Sequence, residues 1–155
     1  MKDKAIHKTV WKIKKYKSKE DFKNDKPFEE KIIKGNILLN GGIGLLWDLA
    51  IGNGGTAFDN TNARIGVGDG TTAEDATQTG LVGTNKAYQS MYSGYPSRSG
   101  TSVTWKAVFD GSTANFDWNE FVVDNGTTAL NRKVSSQGTK ASGQTWTIEV
   151  TITIS

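Results

Sequence analysis

Apolar side chains recur at every second position through much of the chain after residue 60. In "TWTIEVTITIS", Trp146, Ile148, Val150, Ile152 and Ile154 alternate with threonines and Glu149, which predicts a strand with one face in a core and one in water. "SVTWKAVF" aligns Val103, Trp105, Ala107 and Phe109, and "ARIGVG" aligns Ala63, Ile65 and Val67. "KAYQSMYS" puts Tyr88 and Tyr92 on one face and Ala87 and Met91 on the other. "NFDWNEFVV" sets Phe116 and Trp118 opposite Phe121 and Val123, and "ALNRKVSS" reads as a weaker, polar strand. Asp110-Gly111 and Asn125-Gly126 separate neighbouring strands, and both dipeptides favour tight hairpins. The pattern predicts an all-β fold, a small antiparallel β-sandwich or barrel.

Before residue 60 the period changes. Ile43, Leu46, Trp47, Ala50 and Ile51 recur at helical spacing, with Asn40 as N-cap and Gly52, Gly54 and Gly55 ending the run. Leu45 and Leu49 make this segment apolar nearly all round, so the expectation is one short helix buried against a sheet, with a subunit interface as the alternative. In "TVWKIKKYK", Trp11 and Ile13 share a face opposite Lys12 and Lys14, and "FEEKIIK" reads as a second strand. The polar "SKEDFKNDKP" between them is expected to be a turn or loop. The alternative is a disordered arm, but Trp11, Ile13, Tyr16 and Phe22 need burial.

Charge divides the chain. Residues 1–34 hold twelve lysines and six acids, net +6, whereas residues 35–155 are net −3. Two regions follow: 1–34, a lysine-rich N-terminal arm or hairpin, and 35–155, a β-rich body. Such asymmetry points to an acidic partner surface. No apolar run approaches a membrane span, and the basic N-terminus lacks the apolar stretch of a signal peptide. With no cysteine, disulfides and thiolate metal sites are excluded.

The stretch "NARIGVGDGTTAEDATQTGL" has the look of a phosphate loop. Yet Gly66, Gly68 and Gly70 alternate, no lysine follows, and Glu74 and Asp75 would repel a phosphate. Asp69, Glu74 and Asp75 offer oxygen ligands for a cation without the EF-hand spacing, and turn-capping is the plainer role. His7 is the only histidine and lies in the basic segment, so no triad is assembled. Glu120 falls among apolar neighbours and is expected to be buried against Arg64, Arg98 or Arg132 in a structural role. No catalytic residue and no cofactor site are assigned. Lysines interleaved with Trp11, Tyr16 and Phe22 resemble a stacking groove for nucleic acid, but acids are mixed among them and no nucleic-acid motif appears, so a protein partner is preferred. Tyr88, Tyr92 and Tyr95 beside Arg98 are candidates for glycan or oligomer contact.

From Asn62 to Ser155, about three-fifths of the chain, the order of motifs resembles a structural module of tailed-bacteriophage virion proteins. The motifs are "IGVGDGTTA", "TQTGL", "YQSMYSGYPSR", "SVTWKAVF", "ANFDWNEFVVDNG", "LNRKV" and "GTKASGQTWTIEVTITIS". Proteins of that kind are head-decoration, head-fibre or tail-fibre proteins. The resemblance implies a non-enzymatic domain located in the virion, assembling as a symmetric homo-oligomer, with a trimer inferred from the family type. Its partner would be the major capsid protein or another virion protein, with neither membrane nor nucleic acid as partner. Residues 1–34 lie outside the resemblance. Their expected role is to dock a decoration or cementing protein on the head lattice through Lys8, Trp11, Lys12, Lys14, Lys15, Lys17 and Phe22. The alternative is a tail-fibre or receptor-binding module contacting a host surface glycan.

Overall fold

The computed structural model describes residues 6–155. The chain runs β1 (His7–Tyr16), α1 (Lys19–Lys23), β2 (Glu29–Lys34), β3 (Ile37–Leu38), α2 (Asn40–Ala50), β4 (Arg64–Gly68), β5 (Lys86–Ser90), β6 (Ser97–Ser99), β7 (Ser102–Phe109), β8 (Glu120–Asp124), β9 (Asn131–Val134) and β10 (Thr145–Ile154). Two antiparallel five-stranded sheets form, ordered β2-β1-β10-β7-β6 and β3-β9-β8-β4-β5. Their inner faces enclose one core, a β-sandwich-like all-β fold.

Register builds the first sheet's inner face from the alternation in its strands. Trp11 stands opposite Val150, which stands opposite Trp105; Ile13, Ile148 and Ala107 form the next row. From the second sheet come Ile65, Val67, Phe121 and Val123. Aromatic edges close the gap between layers: Trp118 meets Trp146 at 4.9 Å between ring centroids and Phe109 at 5.0 Å, both T-shaped. Such pairs each add about 0.5–1.5 kcal/mol beyond the area they bury.

Of the two forms expected for the lysine-rich segment, the hairpin is the one present. Its first strand is interior to the sheet, between β2 and β10, and Trp11 and Ile13 belong to the common core. The division at residue 34 therefore separates charge, not packing. The polar connection contains α1, whose first turn is capped by the Ser18 hydroxyl accepting the Asp21 amide at 3.1 Å. Phe22 on this helix packs edge-on against the Tyr16 ring.

Four expectations need correction. The outer face of β10 is not wholly wet: Thr145 and Thr147 are buried, the first beside Phe22 of α1 and the second in register between Lys14 and Val108. Phe116 and Trp118 do not lie opposite Phe121 and Val123. All four join one core, because residues 116–119 form only an isolated bridge and β8 begins at Glu120. Asp110-Gly111 makes no hairpin. It starts the crossing from β7 in one sheet to β8 in the other, with the Asp110 carboxylate accepting the Ser112 amide. Asn125-Gly126, by contrast, does link the paired strands β8 and β9.

The fourth correction concerns α2. The helix forms where its spacing predicts, with Leu39 rather than Asn40 at the N-cap, but it is not buried. Gly42 alone is buried, its Cα against the backbone of Ala129 and Leu130, where a Cβ would sit 2.6 Å from the Leu130 carbonyl oxygen. That contact brings one side of the helix down, with Leu45 and Leu46 packed on the core, and leaves Trp47 exposed.

Candidate functional site

The glycine alternation of β4 is the period of a strand. Gly66 and Gly68 point to the outer face of the second sheet, where their cross-strand neighbours are large. A Cβ on Gly66 would meet the Tyr88 ring at 2.6 Å, and one on Gly68 would meet Glu120 Oε1 at 2.5 Å. The glycines make room for two side chains laid across the strand.

Glu120 is the second of these, and it occupies the place a phosphate would take. Its Oε1 accepts the backbone amides of Gly70 at 3.1 Å and Gly83 at 2.7 Å; its Oε2 accepts Val82 N–H at 3.0 Å. Arg132 completes the set, donating Nε–H to Oε2 at 3.0 Å and bringing Nη2 within 2.9 Å of the same oxygen. Both side chains are 0% exposed. Arg132 also donates through Nη1 to the Thr72 carbonyl and Gln78 Oε1, each at 2.9 Å, tying down the 69–85 loop. The loop is thus an anion nest filled by the chain's own carboxylate. Of the three arginines proposed as partners, Arg132 is the one. Arg64 instead holds Asp124 by two hydrogen bonds and stacks on Tyr88 at 4.3 Å, and Arg98 donates to the Gly100 carbonyl.

The acids of this loop do not converge. The Asp69 carboxylate accepts the side-chain amide and backbone N–H of Asn85, which hold its pKa below the usual range. Asp75 is likewise lowered by the Thr77 hydroxyl and amide, and Glu74 accepts the Val134 amide at 2.9 Å. Among the described residues no group of three or more acidic, histidine or cysteine side chains could hold a metal ion.

The hairpin splits the proposed partner-binding residues between two faces. Trp11 lies inside the core and donates its indole N–H to the Gly35 carbonyl. Lys15 shares that inner face. It is buried over the Trp146 ring at 4.4 Å, pairs with Glu29 at 2.6 Å and donates to the Gln137 carbonyl. These two residues brace the fold and are not open to a partner. On the outer face Lys14 pairs with Asp25 and Lys12 lies 4.0 Å from Glu30, while Lys8 and Lys17 are exposed. Phe22 is half-buried between Tyr16 and Tyr92.

At the open end of the hairpin, His7, Lys8, Val10 and Lys34 surround Thr9 and Asn36 in a hollow of about 620 Å³. The Thr9 hydroxyl and both polar atoms of the Asn36 amide are buried there without a hydrogen-bond partner. Lys8 and Lys34 form no ion pair with any described residue. Sequence reasoning missed Asn36 and Lys34, since neither stands in a pattern; register alone puts Lys34 opposite Val10.

The tyrosines do not form one patch. Tyr88 lies on the outer face of the second sheet over Gly66, whereas Tyr92 and Tyr95 flank Lys106 on the outer face of the first, at 5.0 and 5.7 Å from its ammonium. Tyr95 borders a hollow of about 420 Å³ shared with Ser97, Ser99, Thr104 and Glu149, and Arg98 is not among its lining residues.

No protein-family model, curated protein or solved structure matches this chain. Among the described residues no helix is long and apolar enough to cross a membrane.

Proposed function

We propose that the chain is a non-enzymatic structural protein of a tailed-phage virion, a decoration or cementing protein that docks on an acidic patch of the head lattice. The observation that carries this reading is the hollow at the open end of the β1–β2 hairpin. There Lys8 and Lys34, free of ion pairs with described residues, stand beside a buried amide and hydroxyl without partners. Lys8 and Lys34 put two exposed ammonium groups at one corner of the hairpin, an arrangement that fits a partner's carboxylates. Because β1 is interior to its sheet, this surface is rigid and loses little conformational freedom on docking. The motif order from Asn62 to Ser155 supports the virion assignment.

The test is co-sedimentation with heads of the encoding phage. Lys8→Glu with Lys34→Glu should reduce binding at least tenfold while leaving the melting transition in place, and wild-type binding should fall steeply with salt. Undiminished binding by the double variant contradicts the docking surface.

A second reading, a tail-fibre or receptor-binding module, rests on the hydroxyl-rich hollow beside Tyr95, an aromatic ring next to serines, threonines and a carboxylate as a sugar would require. Binding to host cells or surface glycans that is lost in Tyr95→Ala, with no binding to heads, favours it.

A further inference from the structure

Four strands end the two sheets, β2 and β6 in the first and β3 and β5 in the second. β3 and β6 are two and three residues long, too short to hold another strand. β2 is the longest of the four at six residues, and Glu30, Lys31, Ile32 and Lys34 on it are exposed, Ile32 by 59%. An open sheet edge of this length is a template for a further strand.

Register fixes which backbone groups that edge offers. Ile6 and Ser155 exchange both backbone hydrogen bonds, so the even-numbered residues of β1 bond to β10 and the odd-numbered ones turn to β2. The Thr9 carbonyl accepting the Gly35 amide at 2.8 Å follows that phase. Glu30, Ile32 and Lys34 stand opposite Lys14, Lys12 and Val10, all even, and therefore aim their N–H and C=O groups out of the sheet edge. Among the described residues no backbone group of another element bonds to them.

We propose that β2 pairs antiparallel with β2 of a second copy about a two-fold axis at Ile32, joining the two first sheets into one. Outward groups on alternate residues admit only registers that set even residues against even ones. With Ile32 opposite its own counterpart, Glu30 of each copy falls opposite Lys34 of the other on the outer face, so both ends of the pairing carry opposite charges. Neither neighbouring register has such a pair: one sets Lys31 against Lys31, the other Ile32 against Lys34. The strand is thus complementary to itself in one register. β5, the other edge of useful length, reads Lys86-Ala87-Tyr88-Gln89-Ser90 and has no acid to set against its lysine.

The pairing would form about six backbone hydrogen bonds around an apolar centre. It belongs to the small, reversible class of interface, below about 1,200 Å². It takes Lys34 from the hairpin corner, leaves Lys8 exposed on β1, and does not rest on the virion reading.

Sedimentation and amide hydrogen exchange at about 10 μM and about 1 mM, on either side of a submillimolar affinity, test it without heads. A dimer mass should appear at the higher concentration. The amides of Glu30, Ile32 and Lys34 should then exchange about threefold or more slowly, while those of Lys31 and Ile33, which face β1, keep one rate. Ile32→Pro removes an outward N–H on which no bond to β1 depends, so it should stay monomeric with an unchanged melting transition. Glu30→Lys should weaken pairing about tenfold, and Glu30→Lys with Lys34→Glu should restore it. A wild-type monomer at both concentrations, a trimer, a dimer that survives Ile32→Pro, or a charge swap that fails to restore pairing overturns the proposal.

Discussion

The Arg132 guanidinium lies 2.9 Å from the Glu120 carboxylate, and neither side chain reaches solvent. The pair sits on the outer face of the second sheet beneath the 69–85 loop, not in the core between sheets. Its burial comes from the loop, and the loop is held in turn by the pair, through Gly70, Val82 and Gly83 on one partner and Thr72 and Gln78 on the other.

Removing one charge should therefore be costly. Glu120→Gln or Arg132→Met alone should each destabilise by about 3–5 kcal/mol, because the remaining group is left buried and uncompensated. The double variant Glu120→Gln/Arg132→Met should lose clearly less than the sum, as residues in one network do. Urea denaturation of the three variants measures it, and additive losses contradict the coupling.

The loop glycines should differ among themselves. Gly70→Ala places a Cβ 2.6 Å from Glu120 Oε1 and 2.7 Å from the Gly83 nitrogen, whereas nothing lies within 4 Å of a Cβ at Gly80. A loss of about 1–3 kcal/mol is expected at Gly70 and a change within about 0.5 kcal/mol at Gly80. Equal melting temperatures for the two variants count against the packing described.

Much of this fold was legible because its strands are unusually regular. Strict alternation in β7 and β10 placed nine apolar side chains on the face where all but Ile154 and Val103 are buried, and the end of α2 followed from its glycines. Parity failed at Trp118, where the chain crosses between sheets and no single strand carries the count through. It failed again at Trp47, because apolarity all round a helix does not say which side meets the sheet; the close backbone approach at Gly42 decides that. Helix α1 was missed although Ser18 and Asp21 have the spacing of a cap. Glu120 was legible as a buried acid with an arginine partner. The amides that complete its site lie near residue 83, nearly forty residues away in sequence, and no local pattern announces them.

Loss of residues 1–34 should unfold the protein, not merely release it from a partner. The deletion removes a strand interior to the first sheet together with Trp11, Ile13 and Tyr16. The truncated chain should lose its cooperative melting transition, while Lys8→Ala should change stability by no more than about 0.5 kcal/mol. A folded truncation by circular dichroism contradicts the shared core.

Lys140 should give stability an alkaline dependence. It is buried, with its ammonium donating to the Asp110 carbonyl and to Asn115 Oδ1, and burial pushes its pKa down to about 8 from 10.5. Below 8 both folded and unfolded chains are protonated and the full cost is present. Between 8 and 10.5 the unfolded chain holds the proton more firmly, so stability rises with pH. Relative to Lys140→Met, which cancels other titrations, the wild type should gain up to about 3 kcal/mol across that window. A flat difference contradicts the shift.

Whether Glu120 fills the glycine loop is read from backbone amide chemical shifts during titration with inorganic phosphate. Gly70, Val82 and Gly83 already donate to the carboxylate, so their resonances should stay in place at saturating phosphate. A saturable shift confined to those three amides would show that the loop takes an external anion and that Glu120 does not fill it.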